Sequence, residues 1–190
     1  MPATRTSDRR SDQALVDVCN NGDAAAATEA FEVLYRRHKP FVLRVARRFL
    51  HDPDQALDVL QETFSYLLRK FPPAGTGLTL TAQLTTLLYP VAKNSALSVL
   101  RKNDRYSSAE APDPDELPSG ATEGPSDVAR LVGCLPPERR EIVMMRFVDD
   151  MALADIARAL DVPLGTVKSR LHLAIKALRD DPEVKKFFAP

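Results

Sequence analysis

The stretch from Asp155 to Arg179, DIARALDVPLGTVKSRLHLAIKALR, constrains this chain more than any other. Ile156, Ala157 and Leu160 repeat at helical spacing and give a first short helix one apolar face, with small residues where a second helix must approach closely. Asp161-Val162-Pro163 is a turn, and Pro163 suits a helix start, where its missing N–H is not needed. Beyond it Leu164, Val167, Leu171, Ala174 and Leu178 follow a three-four repeat. Gly165, Ser169, Leu173 and Lys176 fall opposite that seam, and Lys168 and Arg170 flank it. Two helices joined by a short turn, the second amphipathic and basic, form the unit that lays a recognition helix in a DNA major groove. Any basic helical hairpin on a small domain shares this pattern, so the rest of the chain must discriminate.

With 190 residues the chain has room for one or two domains. Its formal net charge is zero, which at first sight argues against nucleic acid. The charge is unevenly spread, however. From Ser107 to Ser126 there are acids (Glu110, Asp113, Asp115, Glu116, Glu123) and no base, and the flanking parts are mildly basic without them. The same segment is rich in Pro, Ser and Gly, so it is expected to be a flexible acidic linker that buries no core. It divides the chain into domains at 11–106 and 127–188, with 107–126 between them. No stretch is apolar enough to span a membrane, and the first residues lack the apolar core of a signal peptide, so a cytoplasmic location is expected. Cys19 and Cys134 lie far apart without metal-ligand spacing and are expected to be buried or half-buried thiols. The histidines His38, His51 and His172 do not cluster with them; neither a metal nor a cofactor is expected. No nucleophile–base pair or phosphate loop suggests an enzyme.

Strand-like alternation is absent, so the fold class is all-α: two small helical domains, the second a helix-turn-helix. Ser11 or Asp12 should cap a helix through Cys19. Asp23 should start a longer one through Leu50, with Pro40 breaking or kinking it. Asp52-Pro53 marks a helix start running to Lys70, and 74–80 is a loop. Thr81 should open a helix to Asn103 that tolerates Pro90. A short helix near Asp127–Val132 and one from Pro136 or Pro137 to Phe147 precede the hairpin.

Two of these helices carry charge on one side. In the helix from Asp54, the expected core seam is Leu57, Leu60, Phe64, Leu67 or Leu68, and Phe71, with Asp54, Asp58, Gln61, Glu62 and Ser65 opposite. Phosphate would repel such a face, so it is either a solvated surface or a docking face for a basic protein. Lys93, Asn94, Arg101, Lys102 and Arg105 gather in the second half of the next helix. Asn and Arg suit base edges and phosphates, while basic residues at a helix C-terminus are also favoured by the dipole alone.

The order of these features resembles the sigma-70 family, in particular the small extracytoplasmic-function (ECF) sigma factors. The matching residues are Asp58-Val-Leu-Gln61-Glu62-Thr-Phe64, then Val91-Ala92-Lys93-Asn94 with its basic end, and the acidic linker. Leu135-Pro136-Pro137-Glu-Arg-Arg140 and Gly165-Thr166-Val167-Lys168-Ser169-Arg170-Leu171 complete the pattern. The resemblance implies a protein that binds core RNA polymerase and directs it to promoters. It implies that Asp54, Asp58, Gln61 and Glu62 dock on the polymerase clamp helices. Lys93, Asn94, Arg101, Lys102 and Arg105, with the loop 72–81, would open and hold the minus-10 element. Thr166, Lys168, Ser169, Arg170, His172 and Lys176 would read the minus-35 duplex. An anti-sigma factor is a further candidate partner.

The chain also departs from the family pattern. It has no tryptophan where the minus-10 helix commonly carries a tryptophan-leucine pair; Gln83-Leu84 stand nearby. Pro90 is unusual inside that helix, and Leu173-Ala174-Ile175 replaces a usual Arg-Ala-Arg. An operator-binding regulator, or a sigma-like protein that has lost promoter opening, are the alternatives on the residues alone.

Overall fold

The computed structural model describes residues 8–106 and 131–187. Every regular element among them is helical: α1 (Asp12–Asn21), α2 (Ala24–Ala46), α3 (Pro53–Leu68), α4 (Leu84–Tyr106), α5 (Pro137–Phe147), α6 (Leu153–Ala159), α7 (Leu164–Asp180) and α8 (Pro182–Phe187). A 3-10 turn, Val132–Cys134, precedes α5. The linker segment 107–126 and the expected helix start at Asp127 lie outside the described residues.

The helix starts follow local chemistry. Ser11 Oγ accepts from the Ala14 amide at 3.2 Å and Asp23 Oδ1 from that of Ala26 at 2.8 Å. Asp52 Oδ1 accepts from Asp54 N at 2.9 Å with Pro53 in the first turn. Several bounds differ from expectation by a few residues, and two have a clear cause. α2 stops at Ala46, and Phe49 and Leu50 turn into the core; apolar burial there outweighs further helix. α4 begins at Leu84, because Leu78 is held off by α1: Asn20 Nδ2 donates to the Leu78 carbonyl at 2.8 Å and Asn20 Oδ1 accepts from its amide at 2.9 Å. Pro40 and Pro90 both lie within continuous helices. The terminal helix α8 had no counterpart in the periodicity.

α1 to α4 pack as one group, α2 touching each of the other three. Edge-to-face rings fill it, with Phe31 at 6.3 Å from both Phe64 and Phe71, and Tyr35 at 4.7 Å from Phe64. Asp12 ties α1 to α2 through His38 at 2.7 Å and Arg37. Burial pushes the Asp12 carboxyl up, but His38 and Arg37 outweigh it and hold it below its ordinary 3.8. This contact therefore stabilises the fold above that value and is lost as pH falls through the lowered one.

α5, α6 and α7 form the second group, with α8 against α7. Ile142, Met145, Ile156, Val167 and Ala174 are fully buried in it. The Leu-Pro-Pro-Glu-Arg-Arg motif has a structural cause: Arg140 Nη2 donates to the carbonyls of Gly133 at 2.8 Å and Leu135 at 3.1 Å, fixing the turn into α5. The hairpin turn is a Schellman closure, in which Val162 N bonds the Ala157 carbonyl at 3.0 Å and Asp161 N that of Arg158 at 3.3 Å. That geometry puts Asp161 at φ 53°, a left-handed conformation that costs an L-residue roughly 1–2 kcal/mol. Asp161→Gly should raise stability by about 0.5 kcal/mol, the relief being partly offset by greater unfolded-chain entropy. A chemical-denaturation midpoint unchanged or lowered in that variant would contradict this.

The two groups touch through α4 and α6 and through ion pairs described below. Cys134 is exposed, contrary to expectation, because the 3-10 turn carries its side chain outward; Cys19 is buried.

Candidate nucleic-acid interface

On α7 the buried seam is Val167, Leu171 and Ala174. Lys168, Ser169, His172 and Lys176 consequently project into solvent, and Thr166 is half-buried at the edge of that face. Ser169 Oγ donates to the Thr166 carbonyl at 3.0 Å, which stiffens the first turn. The outward face carries positive charge and hydroxyls with no ion pair on Lys168 or Lys176 among the described residues. Leu173 and Ile175 are also exposed, at 43% and 45%. The two positions where the family usually has arginine are thus surface positions, and their loss removes charge from the interface without filling the core.

Arg170 is placed differently from its neighbours. Its Nη2 lies 2.6 Å from Glu138 Oε2 at the start of α5, and the side chain is one-third exposed. The guanidinium is paired with that exposed carboxylate, so DNA has to compete with Glu138 for it. Glu138→Gln should release it, strengthening duplex binding several-fold and steepening the log–log salt dependence by about one unit. Arg170→Ala should weaken binding more in that background than in the parent protein, as measured by fluorescence anisotropy at several salt concentrations. Equal losses in both backgrounds would show that Glu138 does not hold Arg170 back.

Along α4, Asn94, Arg101 and Lys102 are exposed, while of Arg105 only the backbone is described. Lys93 is not free: its Nζ lies 2.6 Å from Glu141 Oε1 on α5, and the Tyr89 hydroxyl donates to the same oxygen at 2.7 Å. Burial, and then the negative charge of Glu141, raise the Tyr89 phenol well above its usual range, so it stays a protonated donor. The loop 72–81 between α3 and α4 is pinned by Asn20, and Gly77 supplies a φ of 100° that other residues rarely adopt. Its end at Leu80, with Ala82 and Gln83 just beyond it, borders a cleft that Asp12, Arg37 and His38 also line.

On α3, Asp54, Asp58, Gln61 and Glu62 are all exposed. Glu62 Oε2 also accepts from Ser95 Oγ at 2.9 Å, which ties α3 to α4. Of the expected seam, Leu60, Phe64, Leu67 and Phe71 are buried, but Leu57 is not. Leu57 and Leu68 are 49% and 54% exposed, and Ala56, Val59 and Thr63 complete the core face. Helical geometry explains the correction: α2 and α4 both pack on α3, so the buried arc is centred between them and excludes both leucines. Leu57, Gln61, Ser65 and Leu68 instead line an open groove floored by Phe31, Tyr35 and Phe64. The face is therefore half acidic and half apolar.

Among the described residues there is no cluster of potential metal ligands and no helix long and apolar enough to cross a membrane. A cation-bearing helix-turn-helix is thus joined to a four-helix group. Residues 34–106 match Sigma-70 region 2 and residues 126–178 match Sigma-70, region 4. The chain belongs to the ECF RNA polymerase sigma factors. It is 32% identical over 169 residues to the ECF RNA polymerase sigma factor SigL of Mycobacterium tuberculosis, spanning 84% of this chain and 92% of that protein. It is 26% identical over 168 residues to the ECF RNA polymerase sigma factor SigW of Bacillus subtilis, spanning 80% and 88%. The fold is similar to that of CnrH, solved in complex with the cytosolic domain of CnrY, with TM-score 0.61 and 18% identity over 88% of this chain and 94% of that one. It is likewise similar to the sigma factor RpoE of Bartonella quintana, solved with the anti-sigma factor NepR, with TM-score 0.58 and 21% identity over 84% and 98%. The chain thus binds core RNA polymerase and directs promoter recognition and transcription initiation.

Proposed function

We propose a division of labour within this sigma factor. Residues 11–106 serve as the polymerase-docking and minus-10 domain, 107–126 as the acidic linker, and 127–188 as the minus-35 domain. Asp54, Asp58, Gln61 and Glu62 dock on core polymerase together with the apolar groove at Leu57 and Leu68. Lys93, Asn94, Arg101, Lys102 and Arg105, with the loop 72–81, hold the minus-10 strand. Taking a base from the stack costs a few kcal/mol, which a cleft and phosphate contacts must offset. Thr166, Lys168, Ser169, Arg170, His172 and Lys176 read the minus-35 duplex. The observation that carries this reading is the outward face of α7, where Lys168, Ser169, His172 and Lys176 are all exposed above a buried seam.

The protein acts without a catalytic centre of its own, in the cytoplasm where polymerase and chromosome meet. An anti-sigma factor is a further partner, a reading suggested by the similar fold that was solved with the anti-sigma factor NepR. Transcription in vitro with core polymerase on genomic fragments, followed by sequencing of transcript starts, tests the assignment. A shared pair of upstream elements is expected. Polymerase binding without transcription from any fragment would reject promoter opening by this chain.

A further inference from the structure

Two carboxylates of the C-terminal group rest on cations of the N-terminal group. Glu141 of α5 holds Lys93 of α4 at 2.6 Å and accepts from Tyr89. Asp149, in the turn after α5, lies 2.6 Å from Arg48 Nη2 and 3.5 Å from Arg44 Nε, and its side chain is fully buried there. Arg44 sits in the last turn of α2 and Arg48 just beyond it, more than 100 residues from Asp149 in sequence. Neither arginine belongs to the basic end of α4. Arg48 is only 15% exposed, and its Nη1 is buried with no acceptor. One carboxylate oxygen serves Nη2 and leaves the other arm of the fork unmet. A phosphate, with more acceptor oxygens, suits a guanidinium fork and a nearby ammonium better than this pairing does.

We propose that Arg44, Arg48 and Lys93 form one phosphate-binding strip for the promoter strand, and that Glu141 and Asp149 cover it as phosphate mimics when the two helical groups are closed. The proposal rests on the minus-10 assignment of Lys93 and extends it to α2 and to a competition within the chain. Desolvated ion pairs return little net stability, because charges removed from water must be repaid by their partners. These pairs act beside the packing of α4 on α6, and phosphate can compete for their cations. DNA binds only the open fraction, so its apparent affinity falls in proportion to that fraction. High salt should open the protein and at the same time weaken its grip on phosphate.

The full-length chain tests this, with a fluorescein-labelled single-stranded oligonucleotide as probe and small-angle scattering as the measure of closure. Glu141→Gln with Asp149→Asn should enlarge the radius of gyration and tighten oligonucleotide binding on the order of tenfold. Arg44→Gln with Arg48→Gln should weaken binding and flatten the log–log salt slope by about 1.4 units, at roughly 0.7 per single-strand phosphate contact. If Asp149→Asn disturbs folding, charge exchange keeps the proposal decidable. Lys93→Glu and Glu141→Lys should each open the protein, and the two together should restore the compact radius without restoring oligonucleotide binding. Unchanged radius and affinity in Glu141→Lys, or an unchanged salt slope in the double arginine variant, would overturn the proposal. Transcription by the parent protein separates the two levels: if it initiates normally while these variants behave like the parent, the cover is wrong and the sigma assignment stands. If the variants behave as expected but no promoter is opened, the strip and its cover stand for single-stranded DNA alone, and their use at the minus-10 element falls.

Discussion

Leu57→Arg should lower affinity for core RNA polymerase by about 2–3 kcal/mol, on the order of a hundredfold, and leave the melting temperature of the free protein nearly unchanged. Leu57 is half exposed at the rim of a groove floored by Phe31, Tyr35 and Phe64, beside the carboxylate of Asp58. An exposed leucine contributes little to the fold, so a charged replacement costs no more than a few tenths of a kcal/mol. At an interface the same side chain becomes a buried anchor, and an arginine there would be desolvated next to the partner's basic surface. Asp58→Lys separates this from steering, since it should act chiefly on the association rate and fade as salt rises. Asp58 is the better charge variant than Glu62, whose carboxylate also accepts from Ser95 and whose loss would loosen α3 against α4. Surface plasmon resonance on immobilised core polymerase reads both effects. Parent-like affinity in Leu57→Arg would remove the groove from the docking face.

The other large effect is expected on α7. Lys168→Gln with Lys176→Gln should weaken minus-35 duplex binding roughly thirtyfold near physiological salt and flatten the log–log salt slope by nearly 2 units, at about 0.9 per phosphate contact. Both lysines are exposed and unpaired with any acid among the described residues, so the change subtracts contacts without disturbing packing. Polymerase affinity should be untouched, because the altered residues lie on a different helical group from α3. Anisotropy titrations with a duplex from a mapped promoter, run across a salt series, supply the slope. An unaltered slope would mean that neither lysine reaches phosphate and that α7 lies in the groove on another face. The shortfall of charge at Leu173 and Ile175 fits a bipartite reader, in which polymerase contacts and the minus-10 half share the affinity.

Much of the fold was legible because helices advertise themselves locally. Ser11, Asp23 and Asp52 cap where short polar side chains can reach an amide two or three residues on. The apolar repeat of α7 named Val167, Leu171 and Ala174 correctly, while Leu164, in the first turn, is 39% exposed and Leu178 is half-buried. The seam expected for α3 held at Leu60, Phe64, Leu67 and Phe71 but failed at Leu57. Its periodicity admits two overlapping arcs, and only the positions of α2 and α4 decide which leucines are covered.

What the sequence by itself determined is the helical class, the helix-turn-helix with its outward lysines, the acidic and basic helix faces, and through their order the sigma-factor family. All of these depend on residues within a few turns of one another, where spacing translates directly into geometry. Only the tertiary structure decided that Leu57 and Leu68 face a groove, that Arg170 belongs to Glu138, and that Lys93, Arg44 and Arg48 meet carboxylates from the other half of the chain. Those pairings join residues up to 105 positions apart. No periodicity encodes such a contact; it follows from how two helical groups settle against each other, where burial of charge is tolerated only if an opposite charge arrives with it.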